Sequence, residues 1–418
     1  MRIHCRHRRA NRINHQMSST IFLSRVVLRN YKSIAACDVA LGPLTFLVGA
    51  NGSGKSNFLD ALHLVRDALT GSLDNAISER GGLNEVRRRS AGHPTHFGIR
   101  LEFTLRSGQK GRYAFEVGAL TNGALEVRRE ECVLDVNGKK AFFRLERGKL
   151  THTSEAAFPA VTSDRLALVS ASGLEVFRPV HEALASMGFY NLNPKVIREL
   201  QKPQDGRLLK SSGENIASVI GHLERTSPAS MQLIQEYFTA VVPSVHGVER
   251  LAIDPMESLA FQQDMGGGKR SWQFRAHNMS DGTLRALGVL TALFQRNVDY
   301  APSLIGIEEP ETALHPAAAA ALREALKRAS GESQIIVTSH SPDLLDDFEI
   351  AEDAILAVAS TAGQTYITPL DVASRETIRE HLFSAGELLR LNQLSPDPTI
   401  VENQASKQRQ PDLFGEGN

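Results

Sequence analysis

Cysteine and tryptophan are scarce: the 418 residues hold three cysteines and one tryptophan, and aromatics make up 6%. Cys5, Cys37 and Cys132 lie far apart with no C-x-x-C pair. That argues against a zinc site or an iron–sulfur cluster and for the reducing cytoplasm. No apolar run approaches the ~20 residues that cross a bilayer as a helix, so no membrane partner is expected. Neither sign of charge is in excess, since 47 basic and 47 acidic residues cancel. A global field that would draw in nucleic acid is therefore missing, and any DNA contact has to come from local patches. Sustained heptads are missing as well, which excludes a long coiled-coil arm, and there is no acidic cluster of nuclease type. What is left is an ordinary globular composition, 42% hydrophobic and 22% charged. A chain of this length buries a large core, as one big domain with an insertion or as two domains.

The rest of the chain is arranged around residues 44–65, LTFLVGANGSGKSNFLDALHLV. Residues 45–48 read as a short buried strand, and Phe58, Leu59, Leu62 and Val65 give the following segment a helical apolar side. Between them Gly49, Gly52, Gly54, Lys55 and Ser56 fit G-x-x-x-x-G-K-[ST], with Asn51, Ser53 and Asn57 in and beside the loop. Glycines let successive backbone N–H groups curl around phosphate oxygens. The helix start adds its positive dipole end. The Lys55 ammonium reaches the β- and γ-phosphates, and the Ser56 hydroxyl binds Mg²⁺. The pattern points to a nucleoside triphosphate.

Three further motifs fall in the last third. Met279-Ser280-Asp281-Gly282-Thr283 precedes an apolar helix over 284–294, and Ser280 is also a good helix cap. A buried strand at 304–307 ends in Glu308-Glu309-Pro310-Glu311. Adjacent acids there are costly without a cation, which phosphate-bound Mg²⁺ supplies. A second buried strand, 335–339, ends on His340, which on its own reads as a structural imidazole.

In this order the motifs resemble those of the ABC-type ATPases, and within them the RecF/SMC branch, most closely the compact RecF-like ATPases of bacteria. The residues that carry the resemblance are N-Y-K-S-I, G-A-N-G-S-G-K-S, M-S-D-G-T, E-E-P-E-T-A-L-H-P and T-S-H-S-P-D-L-L. It implies an α/β fold of P-loop NTPase type: a mixed sheet flanked by helices, an antiparallel β subdomain and an inserted α+β lobe. It implies ATP and Mg²⁺ as cofactors. Glu308 would help Ser56 hold the metal, Glu309 would polarise the attacking water, and His340 would contact the γ-phosphate, with Lys55 as third catalytic group. Ser280 and Gly282 would bind the nucleotide of a partner subunit, giving an ATP-dependent head-to-tail homodimer. Glu308 stands where Asp is commoner, and Ser-Asp-Gly-Thr replaces Ser-Gly-Gly-Gln, which disfavours a transporter subunit. The Q-loop glutamine has no assigned residue; the Arg80-Gly81-Gly82 stretch sits where such an element belongs.

Around these motifs the expected organisation is a basic extension at 1–18, with Met17 as a possible start, and an ATPase half at 19–95. An inserted lobe follows at 96–270, a β-meander and then helices, with a flexible glycine triplet at 266–268. The second ATPase half covers 271–394, and 395–418 reads as a disordered tail. Turn signals at Ser107-Gly108, Asn122-Gly123 and Asn137-Gly138 punctuate the meander. Residues 71–94 read as irregular. Arg87-Arg88-Arg89 reads as a solvated face or as a DNA phosphate contact. His315-Pro316 reads as a dimer loop or as a helix cap. Expected partners are duplex DNA and a nuclease or repair protein, in DNA repair, including double-strand break repair, or in defence against foreign DNA. The alternatives are a regulatory ATPase subunit with a separate nuclease effector and, more remotely, a transporter subunit.

Overall fold

The structure is a computed structural model that describes residues 22–90, 94–120, 124–264, 271–296, 301–405 and 411–415. The extension at 1–18, the Asn122-Gly123 turn and the glycine triplet lie outside the described residues. A hairpin of β1 (Leu23–Tyr31) and β2 (Ile34–Ala40) opens the fold, and β3 (Leu44–Val48) leads into the helix Lys55–Thr70. The expected meander follows as β4 (His96–Thr104), β5 (Lys110–Ala119), β6 (Leu125–Val136), β7 (Lys139–Glu146) and β8 (Lys149–Thr153). After β9 (Gly188–Tyr190), the strands β10 (Val245–Ile253), β11 (Met256–Asp264) and β12 (Ser271–Arg275) form a small sheet of their own. The last strands are β13 (Leu304–Glu308), β14 (Gln334–Ser339), β15 (Ile355–Thr361) and β16 (Gln364–Pro369).

One 13-stranded sheet runs β8-β7-β6-β5-β4-β1-β2-β16-β15-β3-β14-β13-β9. Its β15, β3, β14, β13 and β9 are mutually parallel. They are covered on both faces, which is why their sequences are near-continuous apolar runs; all six residues of β14 are buried. Leu47 points into a core shared with Phe58, Leu62 and Val65 of the phosphate-loop helix. Phe46 and Val48 point into a second core with Leu284, Leu287, Ile305 and Ile307. The phosphate loop, the acid pair and the histidine thus emerge at the same edge, the carboxyl ends of three adjacent strands, where open α/β sheets bind ligands.

The structure differs from the sequence reading in three places. The meander and the core are one sheet, because β4 pairs with β1, and β9, far into the expected insertion, is the edge strand beside β13. Residues 71–94 are not irregular throughout: Ser72 caps the short helix Leu73–Ser78, and Leu83–Val86 adds one more turn. The tail is partly ordered. Pro398–Ala405 is helical, and Leu413 and Phe414 are buried against Val27 and Ala114, so two apolar side chains anchor a stretch whose polarity suggested disorder.

Candidate functional site

The phosphate loop is shaped by close approaches that only glycine permits. A Cβ on Gly49 would lie 2.0 Å from the Val358 carbonyl oxygen, and one on Gly54 would lie 2.1 Å from Thr365 Oγ1. Gly54 also has φ 103°, in the left-handed region. It precedes the helix at Lys55 without a side-chain cap, which leaves the N–H groups of Lys55 and Ser56 toward an anion, while Asn57 N bonds the Gly54 carbonyl oxygen at 3.1 Å. Lys55 is buried, and its ammonium donates to the carbonyl oxygens of Gly49 at 2.8 Å and Ala50 at 3.0 Å. Burial pushes its pKa below the usual lysine value, while Glu309, Glu311 and Glu308 pull it back up. Asn51, Gly52 and Ser56 are exposed on the loop, and Ser53 Oγ is buried with no hydrogen-bond partner.

The acids stand opposite. Ser56 Oγ donates to Glu308 Oε2 at 2.7 Å, bringing together the two side chains expected to share a metal. Glu309 follows the end of β13 with φ 43°, a left-handed conformation that costs a non-glycine residue on the order of 1–2 kcal/mol. Its N–H bonds the Thr338 carbonyl oxygen at 3.0 Å, and its Oε1 lies 3.2 Å from His340 Nδ1. Glu311 accepts from Ser339 Oγ at 2.6 Å, and its Oε2 is buried with no hydrogen-bond partner. Lys55, Ser56, Glu308, Glu309 and His340 therefore share one end of the parallel strands.

Ser280 and Gly282 form a second cluster. Ser280 caps the helix Asp281–Phe294, its Oγ accepting from Thr283 N at 3.1 Å. A Cβ on Gly282 would meet the Ala313 carbonyl oxygen at 2.3 Å. His315 caps the turn Pro316–Ala318 through Nδ1, the capping role that its position before proline suggests. In the basic run, Arg88 donates to Gln364 Oε1 at 3.0 Å and Arg89 pairs with Glu85.

Two contributors are absent from the sequence reading. Arg285, in the second turn of the signature helix, is buried. It donates to the carbonyl oxygens of Leu192 at 2.7 Å and of Glu308 and Glu309, each at 3.0 Å. A lone cation among apolar residues 284–294 was the available signal. Burial lowers its pKa, opposed by Glu311, Glu309 and Glu308. Thr365 donates to the Ser53 carbonyl oxygen at 2.8 Å and shares a hydrogen bond with Ser33, which in turn accepts from Asn57 Nδ2 at 2.6 Å. Through Ser33, the N-Y-K-S-I hairpin touches the phosphate loop.

The residues suit a nucleotide with its metal. A hydroxyl and a carboxylate already in contact are the hard oxygen donors that Mg²⁺ takes, and an ammonium held only by loop carbonyls is ready to exchange them for phosphate oxygens.

Known proteins resemble the chain in sequence and in fold. A family model described as "AAA domain, putative AbiEii toxin, Type IV TA system" matches residues 44–346. The DNA replication and repair protein RecF of Vibrio vulnificus (strain YJ016) is 45% identical over 56 residues, 12% of this chain and 16% of that protein. RecF of Vibrio cholerae serotype O1 (strain ATCC 39541) is 38% identical over 65 residues, 14% of this chain and 18% of that protein. The chain thus matches less than a fifth of the length of these relatives. A crystal structure of an Smc head bound to the C-winged helix domain of ScpA aligns with a TM-score of 0.52 at 17% identity, covering 85% of this chain and 99% of that one. At that identity the likeness concerns the fold. Among the described residues no helix is long and apolar enough to cross a membrane. With residues 44–346 matched by the family model, the chain belongs to the AAA-domain family, and its fold is that of a RecF/SMC-like ABC-type ATPase.

Proposed function

We propose that the chain binds and hydrolyses ATP with Mg²⁺, and that turnover requires two copies head to tail. The observation that carries the reading is the 2.7 Å contact of Ser56 Oγ with Glu308 Oε2, with Glu309 and His340 3.2 Å apart next to it. Ser56 and Glu308 would hold Mg²⁺, which would neutralise charge on the β- and γ-phosphates. Lys55 would leave the Gly49 and Ala50 carbonyl oxygens for the phosphates, while the loop N–H groups from Asn51 to Asn57 bind the rest. Glu309 would orient the attacking water and accept its proton, and His340 would fix the Glu309 carboxylate and contact the γ-phosphate. Phosphoryl transfer needs little beyond this positioning and charge neutralisation.

Ser280 and Gly282 stand at the N-terminus of the helix Asp281–Phe294, which supports their serving the phosphates of a second copy's nucleotide. ATP would then be a dimerisation ligand and hydrolysis the release step. The RecF relatives are named for DNA replication and repair, which supports DNA as what the dimer acts on; in this proposal the DNA is duplex and the setting is repair, including double-strand break repair, or defence against foreign DNA, within the cytoplasm. A second reading, a regulatory ATPase subunit whose effector is a separate protein such as a nuclease, draws on the toxin–antitoxin wording of the family model.

Steady-state ATP hydrolysis against protein concentration, with and without duplex DNA, separates these. Specific activity that rises with concentration supports the shared site, and a further rise with DNA supports the DNA role. Activity that is flat in concentration rejects the dimer. Concentration-dependent activity that ignores DNA favours the regulatory reading.

A further inference from the structure

The outward face of the antiparallel sheet is a lattice of charges with one gap. Cross-strand register places Arg29, Gly98, Glu116, Arg129 and Glu146 in one row. The next row is Val27, Arg100, Ala114, Glu131 and Arg144. Every position on these two rows is ionic except Val27, Gly98 and Ala114; Gly98 lies diagonally beside each of the other two, with Arg100 between them. Leu413 and Phe414 sit on that gap, leaving Val27 1% and Ala114 0% exposed.

The gap is built for this occupant. A Cβ on Gly98 would lie 2.2 Å from Leu413 Cδ1, so the glycine is what admits the leucine. The Arg129 guanidinium lies 4.2 Å from the centroid of the Phe414 ring, within cation–π range. Arg112 Nη2 donates to the Phe414 carbonyl oxygen at 3.2 Å, and Arg100 Nη1 to that of Asp412 at 3.4 Å. Arg112 is itself held at 2.6 Å by Glu131, a buried carboxylate that also pairs with Arg144. Within the tail, Asp412 Oδ1 accepts from Phe414 N at 2.9 Å, a turn that sets the two side chains side by side.

We propose that this face is a peptide-binding site for an adjacent Leu-Phe pair preceded by an acid, and that its resident ligand is the chain's own Asp412-Leu413-Phe414 segment, bound in cis. The proposal is independent of the nucleotide chemistry. Two buried apolar side chains set against the ordering of residues 411–415 leave a small net stabilisation. The tail is therefore an exchangeable ligand and not part of the core. A tether of this kind presents its ligand at an effective concentration near the millimolar range, so a free peptide of modest affinity does not displace it.

The test uses the full chain with Leu413→Ala and Phe414→Ala, which empties the site, and a fluorescent peptide of residues 409–418 read by anisotropy. The expected result is saturable binding to the emptied chain, at least tenfold weaker to the native chain. Binding should also be at least tenfold weaker when the peptide carries alanine at both apolar positions. Gly98→Val in the emptied chain should abolish binding; the peptide comparison decides the matter even where that variant does not fold. No binding to the emptied chain, or equal binding of both peptides, overturns the site. A native chain that dimerises without nucleotide and is dissociated by the peptide overturns occupancy in cis.

Discussion

Arg285 donates through one nitrogen, Nη2, to the carbonyl oxygens of both Glu308 and Glu309, 3.0 Å from each. It belongs to the helix that Ser280 caps, so one rigid element carries both the signature serine and the support of the acid pair. The left-handed conformation of Glu309 is held from two sides, by Arg285 on its carbonyl oxygen and by Thr338 on its N–H.

Replacing Arg285 by alanine leaves the carbonyl oxygens of Leu192, Glu308 and Glu309 without this donor. Stability should fall by about 1–3 kcal/mol. If Arg285 positions Glu309, kcat should fall about 10–100-fold while ATP affinity stays within about threefold, since a 1 Å displacement costs that order in rate. Nucleotide titration and steady-state kinetics on the same preparation check the split, and an equal loss in binding would make the role purely structural. Arg285→Lys should recover little, because one ammonium cannot reproduce the guanidinium's planar set of donors.

Glu309→Gln should keep ATP binding and lower turnover by about 10²–10⁴-fold, the usual contribution of a general base. The variant should accumulate as dimer in ATP on size exclusion. Normal turnover would remove Glu309 from the chemistry. Lys55→Ala should abolish binding instead, so the two variants fail at different steps.

Thr365→Val keeps the side-chain shape and deletes the hydroxyl that reaches the Ser53 carbonyl oxygen and Ser33. The loop loses about 1–2 kcal/mol of support, which translates into about 5–30-fold weaker nucleotide binding. Titration with a fluorescent ATP analogue reads this directly. Unchanged affinity would mean that the loop is shaped without Thr365.

Burial pushes the Glu130 carboxyl up to about 7, against the lowering effect of donors from Ala167 N, Leu168 N and the Tyr113 hydroxyl. A carboxyl whose pKa is raised by folding binds its proton more tightly in the folded state. Its contribution is therefore complete below about pH 4.5 and declines until the pH passes 7. The slope from this one group is at most about 1.4 kcal/mol per pH unit. Urea midpoints from pH 4.5 to 8 should show that decline in the native chain and less of it in Glu130→Gln. Parallel pH profiles would place the titration elsewhere.

What the sequence made legible is what is local. The phosphate loop, the acids after β13 and the histidine after β14 each occupy a few consecutive residues whose types follow from charge and backbone geometry, so their order alone indicates the fold type. Strand pairing is not local: nothing near Phe189 says that it lies beside Gly306, or near Val26 that it pairs with Leu101. The helices Leu73–Ser78 and Leu83–Val86 are too short to display a period. Leu413 and Phe414 are two apolar residues in a polar stretch, a signal that acquires meaning only beside Gly98. Thr365 carries no local mark, whereas Arg285 is marked in the sequence as a lone cation within an apolar helix.

The sheet that carries all of this is continuous but not uniformly stitched. One parallel pairing interrupts its antiparallel part where β2 lies beside β16, with Ile34 and Thr365 as the registered pair, and β16 is again antiparallel to β15. The same threonine reaches the phosphate loop through Ser53. The single registered pair between β2 and β16 and the phosphate loop therefore share one residue. Thr365 bonds the Ser33 carbonyl oxygen through its N–H and the Ser53 carbonyl oxygen through its hydroxyl, so one residue ties the strand pairing to the loop.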